Sequence, residues 1–87
     1  MDDTLQLAPE QVLAPVVEDA VEALLSQRTL TALRRRFPRG SGMFLLTDAG
    51  QLYFDPGRGM ALIAVSTLSP DTARSVPRVR HDVDLVA

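Results

Sequence analysis

Near the start of the chain, apolar residues recur in adjacent pairs every four positions: Val12 and Leu13, Val16 and Val17, Ala20 and Val21, Leu24 and Leu25. That spacing forms one broad face of an amphipathic helix. Glu18, Asp19 and Glu22 occupy its other side. Pro9 suits a first helical turn, where the missing N–H has no partner to lose, and Pro15 can restart one. The phase slips across residues 26–29 and resumes at Leu30, Leu33 and Phe37. This predicts either a kink or a second short helix with Thr29 as its N-cap. Pro38 and Gly40 stop it. The pattern therefore predicts helix over 9–37, after a flexible arm at 1–8.

The texture then changes to short apolar runs broken by turn residues. Strands are predicted at about 43–47, 51–54, 60–68 and 78–86. Asp48, Ala49 and Gly50 form a hairpin loop with glycine in the left-handed position. Asp55, Pro56 and Gly57 form a tight turn, because proline presets φ and glycine accepts a positive one. Ser69 followed by Pro70 and Asp71 reads as a cap and one helical turn. In the last segment Val79, His81, Val83 and Leu85 face one way, while Arg78, Arg80, Asp82 and Asp84 face the other. The fold class expected is α+β: one domain over 9–87, with an N-terminal amphipathic helix (kinked or split in two) packed on a four-stranded, mainly antiparallel sheet.

Two of these strands are apolar on both faces. Side chains alternate across a strand, so Met43 and Leu45 oppose Phe44 and Leu46. Met60, Leu62 and Ala64 likewise oppose Ala61, Ile63 and Val65. One helical layer covers one face. The other exposes side chains worth about 1.5–3 kcal/mol each when buried, and soluble monomers seldom carry a continuous patch of that kind. A second copy, another protein, or the chain's own N-terminal arm or 70–75 turn must cover it. The residues assigned to that contact face are Phe44, Leu46, Ile63 and Val65. The expected protein is a homodimer, or else the partner of a different protein.

Charge adds a second feature. The 87 residues sum to a net charge of −2, with no lysine and no cysteine. Residues 1–27 carry six acids and no base, whereas residues 28–87 carry nine arginines and five aspartates. Arg28, Arg34, Arg35, Arg36 and Arg39 lie together with no acid among them. Guanidinium suits phosphate because it donates two parallel hydrogen bonds, so Arg34, Arg35, Arg36 and Arg39 are candidate anion- or nucleic-acid-binding residues. Two other readings compete: a solvated helix end that complements the dipole, or pairing with Glu18, Asp19 and Glu22 of a neighbouring subunit. The acidic balance and sparse aromatics make nucleic acid the secondary reading.

Catalytic and metal chemistry find little support. Without cysteine there is no thiolate nucleophile or Cys-based zinc site. Without lysine there is neither a phosphate-loop lysine nor Schiff-base chemistry. His81 is the single histidine, and in a strand it points away from Asp82 and Asp84. At an interface its protonation in mild acid would weaken the contact. Ser41, Ser66, Ser69 and Ser75 have no nucleophile-elbow context, and Asp48 and Asp55 are explained as turn residues. No cofactor is expected. No apolar run approaches the roughly 20 residues of a membrane span, and Asp2 and Asp3 are the wrong charge for a leader. A soluble, cytoplasmic, non-enzymatic protein is the expectation.

The stretch that follows Gly40, with Met43, Phe44, Leu45 and Leu46 running through Thr47, Asp48, Ala49 and Gly50 to Gln51 and Leu52, resembles the helix-then-hairpin opening of roadblock-type regulatory platforms. Those are small dimeric adaptors. The pattern departs after Phe54, where that family enters a long second helix and this chain has a turn and another strand. The resemblance assigns no residue a role. The composite expectation is a small interaction module, acting as an adaptor, regulator or accessory subunit.

Overall fold

The computed structural model describes residues 12–79. In chain order it contains β1 (Ala14–Val16), α1 (Glu18–Glu22), α2 (Gln27–Arg36), β2 (Met43–Leu46), β3 (Gln51–Asp55), β4 (Ile63–Thr67) and α3 (Pro70–Ser75). The four strands form one antiparallel sheet in the order β1-β2-β3-β4. The α+β class and the four-stranded antiparallel sheet are as the sequence pattern predicts, but the sheet's fourth strand is residues 14–16, which the pattern assigns to helix.

The helical span does not begin where the apolar pairs suggest. Residues 14–16 form a strand against β2, with Ala14, Pro15 and Val16 opposite Leu46, Leu45 and Phe44. Proline explains the departure. It removes a helical N–H, clashes with the preceding turn at a cost of about 3 kcal/mol, and pushes the residue before it out of the helical region. In a strand one residue's N–H and C=O point to the same side. The Pro15 carbonyl points away from β2 and accepts from the Val79 N–H at 2.9 Å. The absent N–H therefore lies on the outer side, and the β1–β2 ladder loses nothing.

Helix begins at Glu18 and divides at residues 23–26, where the phase of the pattern slips. The second N-cap is Ser26 rather than Thr29. The Ser26 side chain accepts from the Thr29 backbone N–H at 3.1 Å, and its hydroxyl bonds Thr29 Oγ1 at 2.9 Å. Phe37 closes α2 in an extended conformation, and Pro38 follows.

The hairpin between β2 and β3 is tied by Thr47. Its carbonyl accepts from Gly50 at 3.0 Å, and its buried hydroxyl accepts from the Gln51 N–H at 3.0 Å. Gly50 has φ 92°, and a Cβ there would stand 2.3 Å from the Leu68 carbonyl oxygen. Only glycine lets the loop and the end of β4 approach this closely. α3 is capped by the Ser69 side chain, which accepts from Thr72 N–H at 3.2 Å, with Pro70 in the first turn.

Of the last predicted strand, 78–86, only the start is described. Arg78 bridges Val16 in antiparallel fashion, and the Val17 N–H donates to Pro77 at 3.0 Å. Residues 80–86, with His81, lie outside the described residues, as do the arm at 1–8 and the predicted helix before residue 12.

One face of the sheet carries the core. Val16, Phe44, Leu46, Leu52 and Phe54 are buried together with Val21 of α1, Leu33 of α2, Ala73 of α3, and Leu68 and Val76 beside it. Phe54 sits between two other rings, 5.2 Å from Phe37 and 5.3 Å from Phe44, the second pair edge to face. All three helices thus contribute to the same side.

Candidate functional site

The fold brings the early acids and the late arginines together within one chain. α1 and α2 meet at the corner formed by residues 23–26, which sets the acidic side of α1 against the C-terminal end of α2. Arg34 Nε donates to Glu22 Oε2 at 2.9 Å, Arg34 Nη2 to Glu18 Oε2 at 2.6 Å, and Arg34 Nη1 to the Phe37 carbonyl at 3.1 Å. Arg39 Nη1 donates to the other Glu22 oxygen, Oε1, at 2.7 Å, and Arg39 also pairs with Asp19. The Gly40 N–H reaches Glu18 at 3.3 Å.

The network is graded from inside to outside. The side chains of Glu22 and Arg34 are only 12% and 17% exposed, whereas Arg39 is 58% exposed. Arg34 also lies 5.7 Å from the centre of the Phe44 ring, over the edge of the core. The Asp19 hydrogen bond, then the charges of Glu22 and Asp19, hold the Arg39 guanidinium above its ordinary value. It stays charged throughout any working pH range.

Of the four candidate anion-binding residues, Arg34 and Arg39 are therefore engaged internally. Arg35 and Arg36 form no ion pair with a described residue, and neither does Arg28. Arg36 rests over the Phe37 ring at 5.0 Å. Pairing of Glu18, Asp19 and Glu22 with arginines of a neighbouring subunit is one of the competing readings of the sequence; here they pair with Arg34 and Arg39 of their own chain. Sequence separations of 12 to 20 residues fit no helical or strand periodicity. The opposite sign of the two charge blocks was the only signal.

The expected contact-face residues divide. Phe44 and Leu46 are each 1% exposed and belong to the core. Their assignment to an open face is corrected: the helices cover the side that carries them. Ile63 and Val65 are half-buried and pack against the core from beside α2. A register shift between Leu52 and Tyr53 leaves Ser66, not Val65, opposite Leu52.

The uncovered side is the other one. Pro15 stands opposite Leu45, Leu45 opposite Tyr53, and Tyr53 opposite Ala64. These four side chains make one apolar row straight across all four strands. None of them is buried, and among the described residues no helix packs there. Met43 continues the patch along β2, 41% exposed.

A groove of about 350 Å³ runs between α2 and β4. Its walls include Ala32, Leu33, Phe37, Ile63 and Val65, with Arg28 and Arg36 lining it as well. Among the described residues β4 pairs only with β3, so the side of this strand next to the groove is a sheet edge.

Four of the candidates for chemistry, Ser41, Asp55, Ser69 and Ser75, have structural duties. Ser41 and Ser75 donate to the carbonyls of Pro38 and Thr72 at 2.6 and 2.7 Å, and Ser69 caps α3. Asp55 Oδ1 accepts from the Gly57 N–H at 2.9 Å, which closes the turn after β3. Among the described residues no three His, Asp or Glu side chains are grouped to hold a metal ion, and no helix is long and apolar enough to cross a membrane. No protein-family model matches the chain, and neither a curated protein nor a solved structure matches it significantly.

Proposed function

We propose that this chain is a small, non-enzymatic protein-interaction module that self-associates through the outer face of its sheet, as an adaptor, regulator or accessory subunit. One observation carries the reading: the row formed by Pro15, Leu45, Tyr53 and Ala64 crosses the whole sheet, and none of the helices among the described residues lies over it. Strands lie about 4.8 Å apart, so the row is about 14 Å long. It contains no charge, so a second copy meets it without leaving a buried ion unpaired. Tyrosine in the row supplies contact area and a hydroxyl that can stay wet at the rim. A cysteine-free chain suits a reducing, cytoplasmic setting.

The alternative, nucleic-acid binding through Arg34, Arg35, Arg36 and Arg39, is weakened by the same geometry. Two of those four guanidinium groups already serve carboxylates of their own chain.

Size-exclusion chromatography with light scattering tests the reading. The wild-type chain runs as a dimer, and Tyr53→Glu runs as a monomer with an unchanged circular dichroism spectrum. A wild-type monomer at high micromolar concentration overturns it.

A further inference from the structure

The groove beside β4 is a separate feature from the outer face, and it has two properties that belong together. The first is a strand edge that no described residue pairs with. An edge strand presents backbone N–H and C=O groups that only another extended chain can satisfy in register. The second is an apolar lining with a positive charge towards each end. Ala32 lies between Arg28 and Arg36 on one ridge of α2, with Thr29 and Leu33 on the adjacent ridge, and together they line the groove with Ile63 and Val65 of β4.

Spacing narrows the occupant. Arg28 and Arg36 are eight residues apart in a helix that rises about 1.5 Å per residue, so their backbones are about 12 Å apart along its axis. In an extended peptide, residues i and i+4 lie on one face about 13 Å apart, with residue i+2 between them on that face. In a peptide strand that runs alongside α2, carboxylates at i and i+4 thus match the two arginines, and an apolar side chain at i+2 falls over Leu33, Ile63 and Val65. We infer that the β4 edge and the α2 groove accept an extended acidic peptide of the pattern acid-x-apolar-x-acid, added as a further strand of the sheet.

Other occupants fit less well. A second copy joined edge to edge by a two-fold axis sets α2 antiparallel to its mate, with arginines facing arginines across the merged groove. A nucleic-acid strand gains from the charges but finds aliphatic walls where bases need aromatic faces or hydrogen-bonding groups. In this chain the pattern occurs only at Glu18–Glu22. That stretch is folded into α1, with its glutamates on Arg34 and Arg39.

The site does not rest on the dimer reading, and its test is separate. The probe is a fluorescein-labelled peptide, Thr-Glu-Thr-Ile-Thr-Glu-Thr, titrated with the full chain and read by anisotropy at low salt. Wild type binds it; the peptide with glutamine in place of both glutamates binds about tenfold more weakly, as do R28E and R36E. L45D, on the outer face, binds like wild type whatever its oligomeric state. N-methylation of alternate peptide amides abolishes binding in one register and spares it in the other, which identifies strand addition. Absence of binding by wild type overturns the proposal. So does equal affinity for the glutamine peptide, loss of binding in neither methylated register, or tighter binding of an oligothymidylate of matched length.

Discussion

Glu22 offers one carboxylate oxygen to Arg34 and the other to Arg39, so a single acid of α1 anchors both ends of the turn that leads out of α2. Because Glu22 and Arg34 are largely out of water, the pair differs from an ordinary surface ion pair. Its hydrogen bonds are charge-assisted, and each partner left alone is stranded in a poor solvent. The contrast between an acidic first third and an arginine-rich remainder is thus a device for holding α1 against α2.

Removing Arg34 is costly and removing its neighbour is not. Arg34→Met leaves Glu22 with Arg39 alone and Glu18 without its 2.6 Å partner. A loss of about 2–3 kcal/mol is expected in urea unfolding. Arg35→Met, at an exposed position, changes stability by less than about 0.5 kcal/mol. Equal losses for the two variants contradict the network.

Adjacent leucines on β2 separate folding from assembly. Leu46→Asp puts a carboxylate into a site that is 1% exposed. It costs about 4 kcal/mol or more, which is enough to unfold a small domain. Leu45→Asp, one residue away on the other face, leaves the far-ultraviolet spectrum intact and abolishes the dimer. Light scattering and circular dichroism on the two variants read the difference directly.

Glycines with similar backbone angles respond differently to alanine. Gly57→Ala meets nothing within 4 Å and carries only the strain of φ 76°, about 1–2 kcal/mol. Gly50→Ala adds the collision with the Leu68 carbonyl and disturbs the 2.8 Å bond from Leu68 N–H to the Gly50 carbonyl. It is expected to cost about 3 kcal/mol or more. Thermal unfolding of both variants tests the order.

The cap of α2 can be located by substitution. Ser26→Ala removes the acceptor for the Thr29 N–H and costs about 1 kcal/mol. Thr29→Ala keeps that bond and costs less. The reverse order places the helix start where the apolar pattern alone puts it.

The turns and the strands β2 and β3 were readable because their signals are local, whereas β4 starts at Ile63, three residues into the apolar run. Glycine at 50, proline at 56 and the Ser69–Pro70 pair each act through their own backbone angles or their nearest N–H. The helix pattern misled at residues 12–17 because pairs spaced by four fit a helical face, while Pro15 vetoes the helix and leaves Val16 to face inward from a strand. The Ser26 cap was missed because Ser26 and Thr29 both carry hydroxyls and sit three residues apart. The arginine–carboxylate contacts were hidden for a different reason. Partners 12 to 20 residues apart meet only once the corner at 23–26 has chosen its angle.

By itself the amino-acid order determined the α+β class, the hairpins, and the presence of apolar side chains on both faces of β2. It left open which side would be covered, since alternation along a strand is symmetric with respect to its two faces. That symmetry is broken only when Val21, Leu33 and Ala73 close over Phe44, Leu46 and Phe54. The same packing leaves Leu45 and Tyr53 outward, draws Arg34 and Arg39 onto the acids of α1, and leaves β4 at the edge beside α2. These are relations between distant parts of the chain, and packing of the helices on the sheet creates them.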